Sequence, residues 1–523
     1  AVLEVERVGR YDNFFELGGD SILSLKVVAR ARANGLGLTP RHLFEHQSLA
    51  AAAKAGGGQS AVIETIPVLT KRDDVVPSYA QARQWFLWQL EPASTAYHIS
   101  GALKLRGELD VEALKASFDA LVARHESLRT VFGAGDDGQV RQIIRDSMST
   151  QVEVINVGAE PVKQREVAVR LHQTPFNLET GPLLRVGLIR QAADEHVLVV
   201  VMHHIISDGW SMQIIVDEFV AQYSARVQGL TPELAALPIQ YADYGVWQRN
   251  WLEAGEQERQ LAYWKNQLGD EHPILQLPTD HPRQVEGRYR AARHSLELPA
   301  VLVQGLHKRA QAENATLFMA LLAGAQVLLH RYSGQEDIRV GAPIANRERV
   351  ETEGVVGFFV NTQVLRNVLH SRLSLVQALR AAKAATAGAQ AHQDLPFEKL
   401  VEALQPERNL GINPLFQVMV NHQRQDLRAL QQLPGLSLED YVLGEQSAQF
   451  ELTIDTSEDA DGRVQVSLTY AKELFEPTTI ERMTQHYVAI LQALVDQPQQ
   501  TLGDIELLKD SERAQLQALG ENP

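Results

Sequence analysis

The 523-residue chain contains no cysteine. Disulfide staples, protein thiolates as nucleophiles and cysteine-held metal are therefore excluded, and a reducing, cytoplasmic setting is expected. Basic residues are also scarce. Lys and Arg number 49 against 65 Asp and Glu, a formal charge of −16. That balance does not build a face able to neutralise a phosphate backbone, so no nucleic-acid partner is expected. No apolar run approaches the roughly 20 residues that span a bilayer, and the first residues lack a secretory pattern, so no membrane partner is expected either. What remains is an ordinary globular composition, 45% hydrophobic and 22% charged. A chain this long outgrows one core and predicts about two to four domains.

The most informative stretch is Met202-His203-His204-Ile205-Ile206-Ser207-Asp208-Gly209-Trp210-Ser211. Before it, residues 196–201 form a continuous apolar, β-branched run that reads as a strand buried on both faces. After it, Met212, Ile215, Val216, Phe219 and Tyr223 fall on one stripe of an amphipathic helix. Successive strand side chains point to opposite faces. His203 and His204 therefore cannot share one cavity while the strand persists, and one is placed for chemistry, the other for structure. A pair of core histidines is the plainer alternative. A zinc site is disfavoured, since no third ligand stands at helical or loop spacing, and no metal is expected.

Near the start, Gly18 and Gly19 make a turn and Ser21 opens a helical pattern through Ile22, Leu25 and Ala29, with Arg30 and Arg32 late. Ser21 is placed either as an N-cap or to carry a phosphodiester, which the first backbone N–H groups and the helix dipole would face. Ala55-Gly56-Gly57-Gly58-Gln59-Ser60 has the composition of a flexible linker.

Leu17-Gly18-Gly19-Asp20-Ser21-Ile22 resembles the attachment motif of a peptidyl carrier protein from a nonribosomal peptide synthetase. Residues 39–44, followed by Ser48-Leu49, resemble that family's third and fourth helices. Its first helix should precede Val8-Gly9 and is largely missing. The resemblance implies 4′-phosphopantetheine on Ser21, installed by a phosphopantetheinyl transferase. In the family, aspartate before that serine tends to mark carriers feeding epimerisation domains.

The remainder is similar to the condensation domains of the same synthetases, through seven motifs in order. They lie at 78–87, 124–132, 202–211, 241–248, 340–347 continued by 357–362, 392–398 and 413–418. The implied fold is α/β: a small helical-bundle carrier domain plus two chloramphenicol-acetyltransferase-like lobes arranged as a V. The expected divisions are a carrier at 1–55, a linker at 56–67, an N-terminal lobe at 68–240, a C-terminal lobe at 241–505, and at 506–523 a linker toward a downstream adenylation domain. A faint internal echo agrees, since each half has a strand, then an amphipathic helix (from Val111 and from Val301), then further strands.

The reaction implied is attack by the α-amine of an acceptor aminoacyl carrier domain on an aminoacyl or peptidyl thioester held by the donor carrier. By resemblance His204 is catalytic, as general base or as a positioning group, and His203 is structural. Asp208 is either a triad member or, preferably, a structural ion pair with Arg124 as partner. Gly209 lets backbone approach the reacting carbonyl and offers its N–H to the oxyanion. Trp210, Trp247 and Phe358 are expected in the core, Trp247 structurally at the site, and Asn361 near the substrate tunnel. An epimerisation-type domain shares the fold. Against it, Gly357-Phe358-Phe359-Val360-Asn361-Thr362 is of condensation type and no Glu-Gly-His-Gly-Arg-Glu stretch occurs. A cyclising relative would replace the histidines by aspartates, and a free acyltransferase using coenzyme A would not need Ser21. A non-catalytic recruitment platform of this fold is the remaining alternative.

Overall fold

The computed structural model describes residues 1–57, 65–407, 412–424, 430–443 and 446–521. Part of the expected linker, at 58–64, and the side chain of Ser21 lie outside that description. The first unit is three helices, Ser21–Ala33, Pro40–Glu45 and Leu49–Gly56. Each start is chemically fixed. Asp20 accepts from the Leu23 N–H at 2.7 Å. Thr39 and His42 form a reciprocal capping box with Pro40 at the first helical position, and Ser48 caps the third helix. The buried interior of this unit is small: Val28, Ala31, Leu38, Leu43 and Ala52.

The small unit leans on the large one. Phe44, only 1% exposed, belongs to the core of the second half of the chain, and Phe15 stacks on it at 5.3 Å. Lys26 lies over the Trp210 ring at 5.4 Å, and Arg32 meets Glu348 at 3.4 Å.

The large unit is a two-lobed α/β structure built on two large sheets, with a two-stranded pair Thr130–Ala134 and Val140–Ile144 beside them. The first has the order Leu436–Asp440, His98–Gly107, Glu195–His203, Leu184–Ala192 and Val152–Asn156. The central strand Glu195–His203 is buried over most of its length, which is why its sequence does not alternate. Helices Val111–Arg124 and Gly209–Val227 pack on each other through stacked Phe118 and Phe219. The second sheet has seven strands, from Ser447–Ala448 at one edge through Tyr289–Glu297, Val464–Ala471, Leu452–Glu458, Val418–Arg424 and Asp337–Ile344 to Asn361–Val368 at the other. Its helix Leu317–Ser333 is buried nearly throughout. No single helix among the described residues is long and apolar enough to cross a membrane.

Two features depart from the expected divisions. The strand Leu436–Asp440, from the second half, pairs antiparallel with His98–Gly107, Leu438 opposite Leu105. With it Leu430, Leu433 and Leu443 enter the first lobe's core. The crossing covers a strand edge that would otherwise present unpaired backbone groups. Its entry is tight: a β-carbon on Gly107 would stand 2.1 Å from the Gly435 carbonyl oxygen. The expected terminal linker contains a helix, Asp510–Gly520, whose Glu512 accepts from the Lys509 N–H at 2.8 Å.

Because Phe44 fills the second half's core from outside, Phe44→Ala should weaken docking of the small unit by about 3 kcal/mol, in the range for a large aromatic truncation. Hydrogen exchange should then rise in the Leu375–Ala391 helix, while the urea midpoint of the large unit stays near the parent's.

Candidate active site

The strand Glu195–His203 ends on the first histidine, and His204–Ile206 form a single 3₁₀ turn. Asp208 then caps the helix Gly209–Val227, accepting from the Ser211 N–H at 2.9 Å. His203 turns inward. It is 4% exposed, its Nδ1 accepts from the Ile205 N–H at 3.0 Å, and its ring lies against His98 and Phe176. Burial, then the neighbouring His98 and His204, press its pKa down to about 3, so the ring is neutral and structural.

His204 turns the other way and is only partly buried. Its backbone N–H is tied to the Tyr97 carbonyl at 2.8 Å. Its Nδ1 lies 2.8 Å from the Ser207 carbonyl oxygen. A carbonyl can only accept, so Nδ1 carries the proton and Nε2 keeps a free lone pair. Burial lowers the His204 pKa, and the opposing pull of its backbone bonds and of Asp208 does not cancel it. The ring is therefore a neutral acceptor near pH 7.

Phe358, from the second lobe, lies against this imidazole with centroids 4.2 Å apart and planes at 50°. What holds it there is Asp208. One carboxylate oxygen receives the Ser211 N–H and, at 3.3 Å, the Arg347 guanidinium; the other receives the Phe359 and Val360 N–H groups at 2.9 and 3.1 Å. Ser211 Oγ donates to the Gly357 carbonyl at 2.9 Å while accepting from the Gly357 N–H at 3.0 Å and from Arg347 at 2.8 Å. Tyr241 donates to the Phe358 carbonyl at 2.7 Å and sits so close to Gly357 that a β-carbon there would stand 2.1 Å from its ring. Segment 357–360 is thus fixed at four successive residues.

Arg347 itself is 1% exposed, donates to the Thr352 and Val355 carbonyls at 2.7 and 2.6 Å, and lies over Phe359 at 4.0 Å. It corrects the expected ion pair. Arg124 pairs with Glu218 at 2.6 Å, and His125 takes the other Glu218 oxygen. The reason is geometric: Arg124 ends a helix packed along Gly209–Val227 and reaches that helix's interior, whereas the Asp208 end opens onto the second lobe. Burial would raise the Glu218 carboxyl, but His125 and Arg124 hold it below the usual range.

The other expected residues separate. Gly209 is exposed, and a β-carbon there would meet nothing within 4 Å, so space is left beside the first N–H of the helix. Trp247 stacks on Trp251 at 5.3 Å under Arg349, and with Arg32, Glu348 and Asp394 it lines a cavity of about 50 Å³ at the seam with the small unit. Its structural role is there rather than at His204. Asn361 is tied into its own neighbourhood. Its amide donates to the Gln393 and Leu395 carbonyls at 3.1 and 2.8 Å and its oxygen accepts from the Phe397 N–H at 3.1 Å, so the side chain is spent on fixing the 393–397 turn. Trp210 donates to the Glu353 carbonyl at 3.0 Å, a structural bond as expected. Phe358, expected in the core, packs against the cluster around Tyr241 and Phe359 and also lies on the imidazole. Arg347 and Phe358 are the residues that sequence reasoning missed. Both stand in the quoted fifth motif, but nothing in their spacing says which side chain they meet.

At the small unit, Gly18 adopts φ +95°, and a β-carbon on Gly19 would stand 2.4 Å from the Phe14 ring. This turn delivers Ser21 as the first residue of a 13-residue helix, with Asp20 occupied as its N-cap. That placement fits a phosphodiester facing the helix N-terminus.

Two outcomes follow for the large unit. Asp208→Ala strands the buried Arg347 charge and should cost about 3–5 kcal/mol in urea unfolding. His203 gives a pH dependence. Unfolded, it takes up a proton below its ordinary value of 6.5, but folded only near 3, so the unfolded state binds more protons in that window and stability falls as pH falls. Acidification from about pH 6 to about pH 5 should cost up to ~1.4 kcal/mol through this residue, and His203→Gln should lose that slope.

Comparison with known proteins bears on the same residues. Residues 71–517 match the family model of the condensation domain, and residues 2–55 that of the phosphopantetheine attachment site. A linear gramicidin synthase of Brevibacillus parabrevis is 43% identical over 525 residues, covering 98% of this chain and 10% of that protein. Tyrocidine synthase 3 of Brevibacillus parabrevis is 36% identical over 518 residues, covering 99% of this chain and 8% of that protein. The chain therefore spans about a tenth or less of these relatives. Among solved structures, the X-domain from teicoplanin biosynthesis superposes with a TM-score of 0.76 at 28% identity, covering 85% of this chain and 100% of that one. With an attachment site followed by a condensation domain that takes up most of its length, the chain belongs to the condensation-domain family of nonribosomal peptide synthetases, in the carrier–condensation arrangement.

Proposed function

We propose that this chain forms peptide bonds, joining the α-amine of an acceptor aminoacyl carrier to the acyl group of a donor thioester. The observation that carries the reading is the His204–Ser207 hydrogen bond, which leaves Nε2 as an acceptor facing the junction of the two lobes. A 4′-phosphopantetheine arm on Ser21, when bound, supplies the thioester on a flexible tether. An α-amine has a pKa of roughly 7.7–8 and is partly neutral near pH 7. His204 Nε2 orients it by hydrogen bonding and takes its proton as the C–N bond forms. The Ser207 carbonyl and the charge of Asp208 stabilise the resulting imidazolium. The Gly209 N–H, at the positive end of its helix, supports the negative charge that develops on the carbonyl oxygen. His204 then returns the proton to the departing thiolate, which balances the step: one C–N bond made, one C–S bond broken, one thiol released.

Seating the carrier against Trp210, next to the Asp208–Gly209 corner, supports Ser21 as the donor attachment residue. A recruitment platform would have no use for a histidine whose tautomer is fixed with an acceptor nitrogen outward. The finer partners proposed are a phosphopantetheinyl transferase and a downstream adenylation domain, in the cytoplasm, as the cysteine-free sequence supports.

Two measurements test this. Treatment with a phosphopantetheinyl transferase and coenzyme A should add one arm to the intact mass of the parent and none to Ser21→Ala. With loaded donor and acceptor carriers the parent should yield dipeptidyl thioester, and His204→Ala should fall by about 10²–10⁴-fold. Equal yields would remove His204 from the mechanism.

A further inference from the structure

Two of the chain's adjacent aromatic pairs meet at the lobe junction, and in each the two rings part company. In His203-His204 the first ring goes to the core and the second to the lobe junction. In Phe358-Phe359 the order is reversed. Phe359, 2% exposed, enters the cluster with Tyr241 and Tyr244 and lies under Arg347. Phe358 stays partly exposed and meets His204. The outward members touch each other across the two lobes. Phe358 packs in part against the cluster of Tyr241, Tyr244 and Phe359, and its backbone is held by groups that would hold any residue there. Asp208 takes the next two N–H groups, Ser211 brackets Gly357, and Tyr241 takes the Phe358 carbonyl. The direction of this one ring is therefore imposed from outside.

Building on the proposed role of His204, we infer that Phe358 is a positioning residue for that imidazole: its ring fixes the imidazole plane from the side not held by Ser207 and screens it from water. Two contacts with different duties then define the base. The Ser207 carbonyl selects the tautomer, and the Phe358 ring limits rotation about it. Screening also has an electrical consequence, because removing water from an imidazole disfavours its charged form. The charged and titratable groups around His204 are Asp208 on the following helix, Arg347 paired to it from the second lobe, His203 on the preceding strand, and Tyr241 beside Asp208. His203 is neutral and Arg347 is matched by Asp208, so hydration is the variable that Phe358 controls.

The test is Phe358→Leu in the full chain, with Phe358→Met, close in volume, as the second variant. Histidine-labelled protein gives the His204 titration by NMR, assigned by the resonance missing in His204→Asn. Both variants should raise the His204 pKa toward the free value. In the dipeptide assay the acid limb of the rate profile should move up in pH by the same amount. At pH 7 kcat should fall about tenfold while the acceptor KM changes less than about twofold, since ground-state binding is not what is lost. Phe358→Tyr, which keeps the ring, should restore the parent's titration and profile. An unchanged His204 titration in folded Phe358→Leu or Phe358→Met would overturn the inference and leave the proposed function standing. Absence of product from the parent would instead overturn the proposed function, with the titration still reporting on Phe358.

Discussion

A single buried carboxylate sets the geometry on which this protein depends. Asp208 accepts from Ser211 on its own helix and from Arg347, Phe359 and Val360 on the other lobe. Four donors around two oxygens satisfy this buried carboxylate, which would cost several kcal/mol to desolvate unpaired. The same four bonds make it a hinge pin. It cannot be satisfied by one lobe alone, so the lobe junction and the cap of the Gly209–Val227 helix form together. His204 sits four residues before Asp208 and Phe358 one residue before Phe359. Asp208 thus fixes the segment that carries Phe358, while the Ser207 carbonyl holds the imidazole.

The chemistry exploits neutrality more than charge. His204 is held neutral by burial, with its proton on the nitrogen that faces Ser207. A charged imidazole would have no lone pair to offer an amine. The nearby Asp208 charge opposes the effect of burial on the ring without cancelling it. Gly209 adds open space at the N-terminus of the helix that Asp208 caps, where the helix dipole is positive. The carrier unit touches the same helix start, where Lys26 lies over the Trp210 ring.

Local physics made much of this legible in the sequence. The unbroken apolar run at 196–201 announced a buried central strand and the stripe from Met212 to Tyr223 the helix after it, while His203 and His204 part because the strand ends on the first and a 3₁₀ turn starts on the second. Ser21 at a glycine turn read correctly as the opening of a helix. What failed involved partners distant in the chain. Arg347 lies 139 residues from Asp208, and Arg124 was a nearer candidate of the same charge. Asn361 looked free for substrate because its three backbone partners, at 393, 395 and 397, carry no side-chain signature. Phe358 was indistinguishable from Phe359 until the register of an irregular segment was known. The strand Leu436–Asp440 is short, and a short alternating stretch does not say which sheet it joins.

The claim that a shared carboxylate unites lobe junction and catalytic base is tested most directly by a double-mutant cycle on Asp208→Asn and Arg347→Met, measured both as urea stability and as the rate of dipeptide formation. If the two side chains act as one clamp, the double variant should lose much less than the sum of the single losses in both readouts, with a coupling of about 1–3 kcal/mol. Losses that add within about 0.5 kcal/mol in stability and in rate would show two independent residues, and would contradict the account.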